Sequence, residues 1–448
     1  MCGILAIYNY ELNRNIITNT LEQLKKLQHR GSDSFGIVYS NSQIYYTIKE
    51  NIKVRDFKID NVLGIFETKM SIGHVKYTTN KLKNKLDNKL SLVQPFYGLH
   101  KKLGEFHLVH NGNLVNLDKQ IDNFNLDKEI IINDSFLLVK IIEILKYDNW
   151  YDLLSYLIYN VEGSFSLIIM AKDTTYFLKD KYSNRPLCYG INNNGYCISS
   201  ESVGLGDYKF IDELEGGDIC RINDLGFFKY PKKIKFKINK KFLFENIYFS
   251  NGDSLLKNNN SLIKCNDLRY DFGNELARKE KYIISQKNRK DIIVIGIPNT
   301  GIPSAKSFAQ RLDLKYEQLI IKNKKYNRSF ILENNEKRQK EINKKFIYQI
   351  DKITDKIIFL IDDSLVRGNT IKIIINKLKE YFPKEIHLRI PAPKVYNICK
   401  YGIDIPSKEE LIMNYYNNDN FCNKYKLNTL EFLEVGEIGN SVRKELNL

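Results

Sequence analysis

Short apolar stretches bounded by Asn, Gly and Asp recur along the chain up to about residue 235. Stretches such as 2–10, 106–112 and 164–171 are apolar or alternate apolar with polar residues, which predicts strands. Two segments, 19–30 and 134–147, instead repeat their apolar residues at helical spacing. This pattern predicts layered sheets with helices packed on the outside.

The pattern changes at about Ile283, where each apolar run is followed by a helical segment. Continuously apolar strands that alternate with helices predict a parallel sheet covered on both faces, as in residues 291–312 and 356–382. Ligands bind such sheets beyond the carboxyl ends of the strands. The Asn- and Lys-rich stretch 250–264 predicts a surface loop. We therefore predict two domains, 2–235 and 236–448.

The composition is that of a globular protein kept in a reducing compartment. The 448 residues are 43% hydrophobic, and the seven cysteines include no C-x-x-C pair. An odd cysteine count without such pairs does not indicate a disulfide framework or a zinc site. No apolar run reaches the roughly 20 residues that a membrane helix needs. We expect a soluble, cytoplasmic protein with no membrane partner.

The formal net charge of +16 raises the alternative of a nucleic-acid-binding protein. The lysines, however, alternate with asparagines, and the only dense basic run, residues 229–241, lies at the predicted domain boundary. This distribution favours a solvated surface and, at most, attraction of an anionic small substrate. We therefore expect no nucleic-acid partner.

Residues 357–370, "IIFLIDDSLVRGNT", carry the most specific chemistry in the second half. A strand leads to Asp362 and Asp363, and a short loop leads to a helix that begins near Thr370. The backbone N–H groups of such a loop and helix start bind anions. Two adjacent carboxylates are costly unless hydroxyls or a cation satisfy them, and a sugar phosphate offers both. The alternative is a pair of acids that only caps a helix.

This stretch resembles the phosphoribosyl pyrophosphate (PRPP) motif of type I phosphoribosyltransferases. The resemblance implies that the two aspartates face the ribose hydroxyls and that residues 364–370 hold the 5-phosphate. Residues 296–305 resemble the pyrophosphate loop of that family, and residues 322–330 resemble its closing loop. The PRPP-binding residues implied are Asp362, Asp363, Ser364, Val366, Arg367, Gly368, Asn369, Thr370, Thr300, Gly301, Lys322 and Arg328. The implied cofactor is Mg²⁺, at Asp362, Asp363 and Thr300.

The first half resembles the glutamine amidotransferase domain of the N-terminal-nucleophile hydrolases. Five segments occur in the order of that family: "MCGILAI", "LQHRGSDSFGI", "GHVKYTT", "HNGNL" and "NDSFLL". The resemblance implies an α+β four-layer domain, followed by an α/β phosphoribosyltransferase domain with a mainly parallel sheet.

The position of Cys2 has a chemical explanation. With Met1 removed, the thiol can attack the glutamine carboxamide while the α-amine of the same residue acts as general base. By resemblance, Asn111 and Gly112 form the oxyanion hole. The glutamine-binding residues implied are Lys76, Asp134, His74 and Arg30.

Two of these residues need comment. Lys76 stands where the family presents an arginine, so a point charge replaces a planar fork at the glutamine carboxylate. For His74 a structural role is the alternative to a catalytic one.

Together the halves resemble the glutamine-dependent PRPP amidotransferases, from Cys2 to about Leu433. The implied reaction makes 5-phosphoribosylamine, glutamate and diphosphate from PRPP and glutamine, as the first step of purine synthesis. The implied partners are purine nucleotides as feedback inhibitors and further copies of the chain in a homo-oligomer, a dimer or tetramer. Residues 402–411 and 322–330 are expected near an internal path for ammonia. Segments 201–205 and 243–249 share the resemblance without any chemistry that the sequence explains.

One alternative stays open, and two others are disfavoured. A catalytically lapsed or ammonia-only homologue would fit Lys76, Asn299 and Asn369, which depart from the family pattern. An enzyme that makes amino sugars would share the first half, but not the motif at 362–370. Some relatives hold an iron–sulfur cluster on four cysteines. Here only Cys399 occupies such a position and Phe242 replaces another, so we expect no cluster.

Overall fold

The structure, a computed structural model, describes most of the chain. The described residues are 2–59, 66–77, 89–233, 243–258, 261–280, 284–323, 345–399, 401 and 407–438. Within them, no helix is long and apolar enough to cross a membrane.

The described part of the first half forms two antiparallel sheets with helices. The strands are β1 Gly3–Asn13, β2 Ser34–Ser40, β3 Tyr45–Glu50, β4 Thr68–Lys76, β5 Phe96–His100, β6 Gly104–Leu114, β7 Gly163–Ala171, β8 Thr174–Lys179, β9 Cys188–Asn192, β10 Gly195–Ser199, β11 Lys209–Glu213, β12 Ile219–Asn223 and β13 Gly226–Lys229. The helices are α1 Ile16–Lys26, α2 Leu117–Asn123, α3 Asp134–Ile144 and α4 Trp150–Asn160. One sheet has the order β11-β9-β10-β1-β4-β2-β3, and the other has the order β13-β12-β8-β7-β6-β5.

These elements stack in four layers. Apolar side chains of both sheets, including Ile4 and Ile168, form a buried core between them. Helix α1 covers the outer face of the first sheet through residues such as Leu24, and helices α3 and α4 cover the second sheet. The predicted four-layer fold is confirmed. Helix α4 was missing from the prediction because its run of apolar and aromatic residues has no clear polar face.

The strand register brings the predicted glutamine site together. Strand β1 lies between β10 and β4, with Gly3 opposite Val75 and Ile4 opposite His74. One step further along this antiparallel register, Cys2 lies beside Lys76 at the same edge of the sheet.

The second half centres on a parallel sheet. The described strands of this half are β14 Leu255–Asn258, β15 Ser261–Lys264, β16 Ile292–Gly296, β17 Lys315–Tyr316, β18 Ile320–Lys322, β19 Phe346–Tyr348, β20 Ile357–Ile361, β21 Glu385–Ile390 and β22 Thr429–Phe432. Its helices are α5 Cys265–Lys279, α6 Ile302–Leu312, α7 Asn369–Lys379 and α8 Asn418–Tyr425. The sheet order is β17-β16-β20-β21-β22, and every pair in it is parallel. The predicted mainly parallel sheet is confirmed.

The prediction of a surface loop at 250–264 is wrong for residues 255–258 and 261–264, which form strands, whereas residues 250–254 lie outside any strand or helix. Strands β14 and β15 form an antiparallel hairpin with Leu255 opposite Lys264. Asparagine and lysine disfavour strands only weakly, and cross-strand pairing outweighs that preference here. The predicted boundary between residues 235 and 236 lies outside the described residues and stays a prediction.

The basic run at 229–241 is described only up to Lys233, and that part is paired with acids. Lys229 lies 2.7 Å from Asp218, and Lys233 lies 2.5 Å from Asp152. Both contacts join residues within the first half.

Candidate active site

Cys2 lies at the start of the central strand β1, partly exposed. Its carbonyl oxygen accepts a hydrogen bond of 3.0 Å from Nε of Arg30. Arg30 is buried, and its Nη1 contacts the carboxylates of Glu201 and Glu245. Arg30 therefore contacts the backbone of the nucleophile, and its predicted contact with glutamine stays a prediction.

Lys76 ends strand β4 beside Cys2. Its Nζ donates a hydrogen bond of 2.6 Å to the carbonyl oxygen of Leu92. Burial lowers the pKa of Lys76, while the nearby acidic groups of Cys2, Asp134 and Asp33 act in the opposite direction. The Lys76 ammonium thus lies within electrostatic reach of both the proposed nucleophile and Asp134.

Asn111 and Gly112 lie next to each other on strand β6. The Nδ2 atom of Asn111 is buried and has no hydrogen-bond partner among the described residues. A buried amide without a partner carries an energetic cost, which a substrate oxyanion at this atom would remove. At Gly112 a Cβ would lie only 2.2 Å from the Ser164 carbonyl oxygen and 2.3 Å from His110 Nε2, so only glycine fits.

Asp134 begins helix α3 and joins it to the end of strand β6. Its Oδ2 accepts a hydrogen bond of 3.3 Å from the Leu114 backbone, and its Oδ1 accepts one of 2.8 Å from the Ser135 backbone. A carboxylate is favourable at a helix N-terminus. This placement of Asp134 suits its predicted role, which is to hold the α-ammonium group of glutamine.

Two histidines lie buried behind this group. Neither ring nitrogen of His74 has a hydrogen-bond partner among the described residues. Burial, followed by the charge of Lys76, holds the pKa of His74 well below its ordinary value. His110 lies 2.8 Å from Ser135 Oγ, and burial lowers its pKa to about 4. Both rings are therefore neutral near pH 7.

Asp362 and Asp363 directly follow strand β20, and both are buried. Burial raises the pKa of both carboxyls, and repulsion from Asp363 raises that of Asp362 further. Asp363 accepts hydrogen bonds from Thr300 Oγ1 and from Ser364 Oγ, the latter at 2.5 Å. Two charged oxygen ligands held this closely favour a hydroxyl-bearing or cationic partner.

The loop from Ser364 to Thr370 leads into helix α7. Gly368 precedes the helix with φ of 72°, a left-handed conformation that glycine adopts without strain. Asn369 and Thr370 form the first turn of α7, whose N–H groups have no partners within the helix. This segment has the form of the predicted phosphate cradle.

Thr300 and Gly301 lie at the start of helix α6, against the end of strand β20. A Cβ on Gly301 would lie 2.7 Å from the Ile361 carbonyl oxygen, so the close approach requires glycine. Lys322 ends strand β18, opposite Phe346 of strand β19. Arg328 and most of the predicted closing loop lie outside the described residues.

Two basic residues near the acidic pair were missing from the prediction. The charge of Lys345 lowers the pKa of both Asp362 and Asp363, and the charge of Arg269 lowers that of Asp363. Lys345 precedes strand β19, and Arg269 lies on helix α5. Neither lies in a motif, so only the folded chain relates them to the site.

Tyr401 contacts the first half, whereas Glu410 and Ile412 contact the loop 364–370 of the second half. The Tyr401 ring stacks on Tyr182 of the first half, with ring centroids 4.7 Å apart. The Ile412 N–H donates a 2.9 Å hydrogen bond to the Val366 carbonyl oxygen, and Glu410 forms an ion pair with Arg367 at 2.5 Å. The described residues on either side of the gap thus contact different halves of the chain. Residues 402–406 lie outside the described part of the chain.

The two sites and their scaffolds define a class of protein: an N-terminal-nucleophile glutamine amidotransferase joined to a phosphoribosyltransferase. Residues 254–412 match the phosphoribosyl transferase domain family. The chain is 31% identical to the amidophosphoribosyltransferase of Mus musculus, over 94% of this chain and 84% of that protein. It is 29% identical to that of Methanocaldococcus jannaschii, over 100% of this chain and 96% of that protein. The chain belongs to the amidophosphoribosyltransferase family, glycosyltransferases that act at the first step of purine biosynthesis.

The fold agrees with this assignment. The glutamine PRPP amidotransferase of B. subtilis, solved in complex with ADP and GMP, superposes with a TM-score of 0.84 at 26% identity. The match covers 98% of this chain and 92% of that one.

Proposed function

We propose that this protein makes 5-phosphoribosylamine, glutamate and diphosphate from PRPP and glutamine. The observation that carries the proposal is that one chain holds both candidate sites. Asn111 Nδ2 is buried without a partner among the described residues of the first half, and Asp362 and Asp363 form a buried acidic pair in the second.

The glutamine step uses residues of the first half. The Cys2 thiol attacks the carboxamide carbon while its proton passes to the α-amine of the same residue. The oxyanion receives hydrogen bonds from Asn111 Nδ2 and the Gly112 N–H. Ammonia leaves with a proton from the α-amine, and water then hydrolyses the thioester to glutamate. Lys76 and Asp134 hold the α-carboxylate and α-ammonium groups of glutamine.

The PRPP step uses the end of the parallel sheet. Asp362 and Asp363 accept hydrogen bonds from the ribose hydroxyls, and the loop 364–370 binds the 5-phosphate. The bond from C1 to diphosphate breaks as positive charge develops on the ribose, and ammonia forms the new bond to C1. The nearby carboxylates stabilise that charge.

Mg²⁺ fits this site. The hard oxygen ligands of Asp362, Asp363 and Thr300 are those that Mg²⁺ prefers, and mutual repulsion of the two carboxylates is relieved by a cation. When bound, the ion neutralises the diphosphate charge. We expect Asp362 and Asp363 to hold it together with the substrate.

Purine nucleotides are expected as inhibitors, because the B. subtilis relative was solved with ADP and GMP. We also expect a homo-oligomer, in which this chain pairs with further copies of itself.

The deciding experiment is an assay of glutamate and diphosphate released from glutamine and PRPP by the purified protein. We expect the two products in equal amounts, each dependent on both substrates. A protein that binds PRPP yet releases neither product would instead be the lapsed homologue.

A further inference from the structure

Two segments without assigned chemistry meet at Arg30. Glu201 is the first residue of segment 201–205, and Glu245 lies in segment 243–249. The Arg30 Nη1 atom contacts the Glu201 carboxylate and lies 2.7 Å from Glu245 Oε1. The Nε atom of the same side chain donates to the Cys2 carbonyl oxygen at 3.0 Å. Both segments therefore contact Arg30, the residue that is hydrogen-bonded to the backbone of Cys2.

The cluster formed by Arg30, Glu201 and Glu245 is buried. The side chains of Arg30 and Glu201 are 1% and 2% exposed, and that of Glu245 is 8% exposed. Burial alone would lower the pKa of Arg30, but the charges of Glu245 and Glu201 outweigh it and raise that pKa. In this low-dielectric setting, charge-assisted hydrogen bonds strongly fix the orientation of the Arg30 guanidinium. Loss of one carboxylate therefore allows the guanidinium to move.

Glu245 comes from the second half of the chain, although the arginine and the nucleophile belong to the first. It begins a single π-helical turn, Glu245–Phe249, which a second arginine holds from the other side. Arg269 Nε donates to the Asn246 carbonyl oxygen at 3.0 Å, and Arg269 Nη2 donates to the Ser250 carbonyl oxygen at 2.7 Å. The turn therefore presents the Glu245 carboxylate in a defined position.

The second half also holds Glu201 directly. The Ser254 Oγ donates to Glu201 Oε2 at 2.5 Å, and the Asn251 N–H donates to the same oxygen at 2.8 Å. Residues 245–254 thus supply one carboxylate that orients Arg30 and contact the other, which also lies 2.7 Å from His29 Nε2 in the first half.

We propose that Glu245 is a positioning residue for Cys2, acting across the contact between the halves through the Arg30 guanidinium. This inference rests on the proposed function, because it concerns the glutamine step. It implies that the thiol of Cys2 reaches its productive orientation only when the second half is in place.

The test compares Glu245→Gln and Glu245→Asp with wild type, using glutamine and then ammonia as nitrogen donor. The Glu245→Gln substitution retains the shape of the side chain but removes its charge. The Glu245→Asp substitution retains the charge on a shorter side chain. A positioning role through charge predicts that kcat with glutamine falls about tenfold or more in Glu245→Gln, and less in Glu245→Asp. The KM for glutamine and the ammonia-dependent rate should change less than about threefold, because no substrate contact is lost.

Glu275→Gln is the matched control. Glu275 forms an ion pair with Arg278 at 2.7 Å on helix α5, in the same half as Glu245, whereas the carboxylates paired with Arg30 are those of Glu201 and Glu245. It should behave as wild type with both nitrogen donors. Glu245→Asp less active than Glu245→Gln would indicate a packing role and overturn the proposal, as would equal losses with both donors.

A milder variant covers the case in which Glu245→Gln does not fold. Ser254→Ala removes one hydrogen bond to Glu201 and leaves every charge in place. We expect kcat with glutamine to fall about two- to fivefold at an unchanged ammonia-dependent rate. An unchanged kcat with glutamine would contradict the inference. Absence of glutamine use in the wild type would instead contradict the proposed function.

Discussion

The ammonium group of Lys76 donates a hydrogen bond to the backbone carbonyl oxygen of Leu92, with the two atoms 2.6 Å apart. This hydrogen bond uses one of the three N–H donors of the ammonium group. This contact fixes the charge at the end of strand β4, beside Cys2 and within electrostatic reach of Asp134.

Replacement of Lys76 by arginine should strengthen glutamine binding. A guanidinium can bind both carboxylate oxygens, which adds a charge-assisted hydrogen bond worth on the order of 1 kcal/mol and lowers the KM for glutamine several-fold. Steady-state kinetics with glutamine measure this, and the ammonia-driven rate should not respond. A higher KM for glutamine in Lys76→Arg would show that the pocket is built around lysine.

The same variant should differ from wild type in its pH dependence. Burial lowers the pKa of Lys76, so the wild type loses this positive charge at a lower pH than an ordinary lysine would. The KM for glutamine should therefore rise on the alkaline side in wild type, while arginine stays charged. Parallel KM profiles of the two proteins up to pH 10 would argue against a role for this charge.

Cys2→Ser should abolish glutamine use and spare ammonia-dependent synthesis from PRPP. The two reactions lie in separate halves, and serine is a far weaker nucleophile than the thiolate. Assays with each nitrogen donor check this, with Cys399→Ser as the control because Cys399 is exposed and outside both sites. Equal loss of both activities in Cys2→Ser would point to a structural role.

Asn111→Ala should lower kcat with glutamine by about 10²–10³, the usual cost of one oxyanion-hole donor. The Nδ2 atom makes no hydrogen bond to the described residues, so its removal costs the free protein little. Thermal melting should accordingly change little. A large fall in melting temperature with proportionate loss of both activities would assign Asn111 a role in folding.

Asp362→Asn should make the unliganded protein more stable and less active. Burial and repulsion raise the pKa of Asp362, so its charged form opposes folding near pH 7, and the wild type gains stability as pH falls through that raised value. The variant should melt roughly 2 °C or more higher at pH 7, with the difference shrinking in acid. Its PRPP turnover should fall with either donor. A less stable variant would mean that the carboxylate makes essential contacts.

Gly301→Ala should impair the PRPP reaction with both nitrogen donors. A Cβ here would lie 2.7 Å from the Ile361 carbonyl oxygen and 2.9 Å from that of Ile297, so the loop must move away from Asp362. We expect turnover of PRPP to fall about tenfold or more with either nitrogen donor. Gly436→Ala is the control, because no atom lies within 4 Å of its Cβ position. Normal PRPP turnover in Gly301→Ala would show that the reaction does not require the close approach of Gly301 to the end of strand β20.

Much of the phosphate site follows from the sequence because its parts are adjacent. Strand β20, the acidic pair and the start of helix α7 occupy one continuous stretch, 357–379, so local pattern and turn chemistry specify their arrangement. The hairpin at 255–264 shows the opposite case. Its polar residues have weak local preferences, and pairing between the strands decides the structure.

The sequence by itself determined the alternation of strands and helices, and it predicted which residues carry the chemistry, from Cys2 to Asp363. Only the tertiary structure decided what supports them. Arg30 meets Glu201 and Glu245 across 171 and 215 positions of the chain, and the charge of Lys345, just before strand β19, acts on Asp362. Periodicity records which face of an element is buried, but not which distant side chain it meets. The partner of each buried charge is determined by the packing of the two halves. This packing excludes water, and a buried charge is stable only when it is paired.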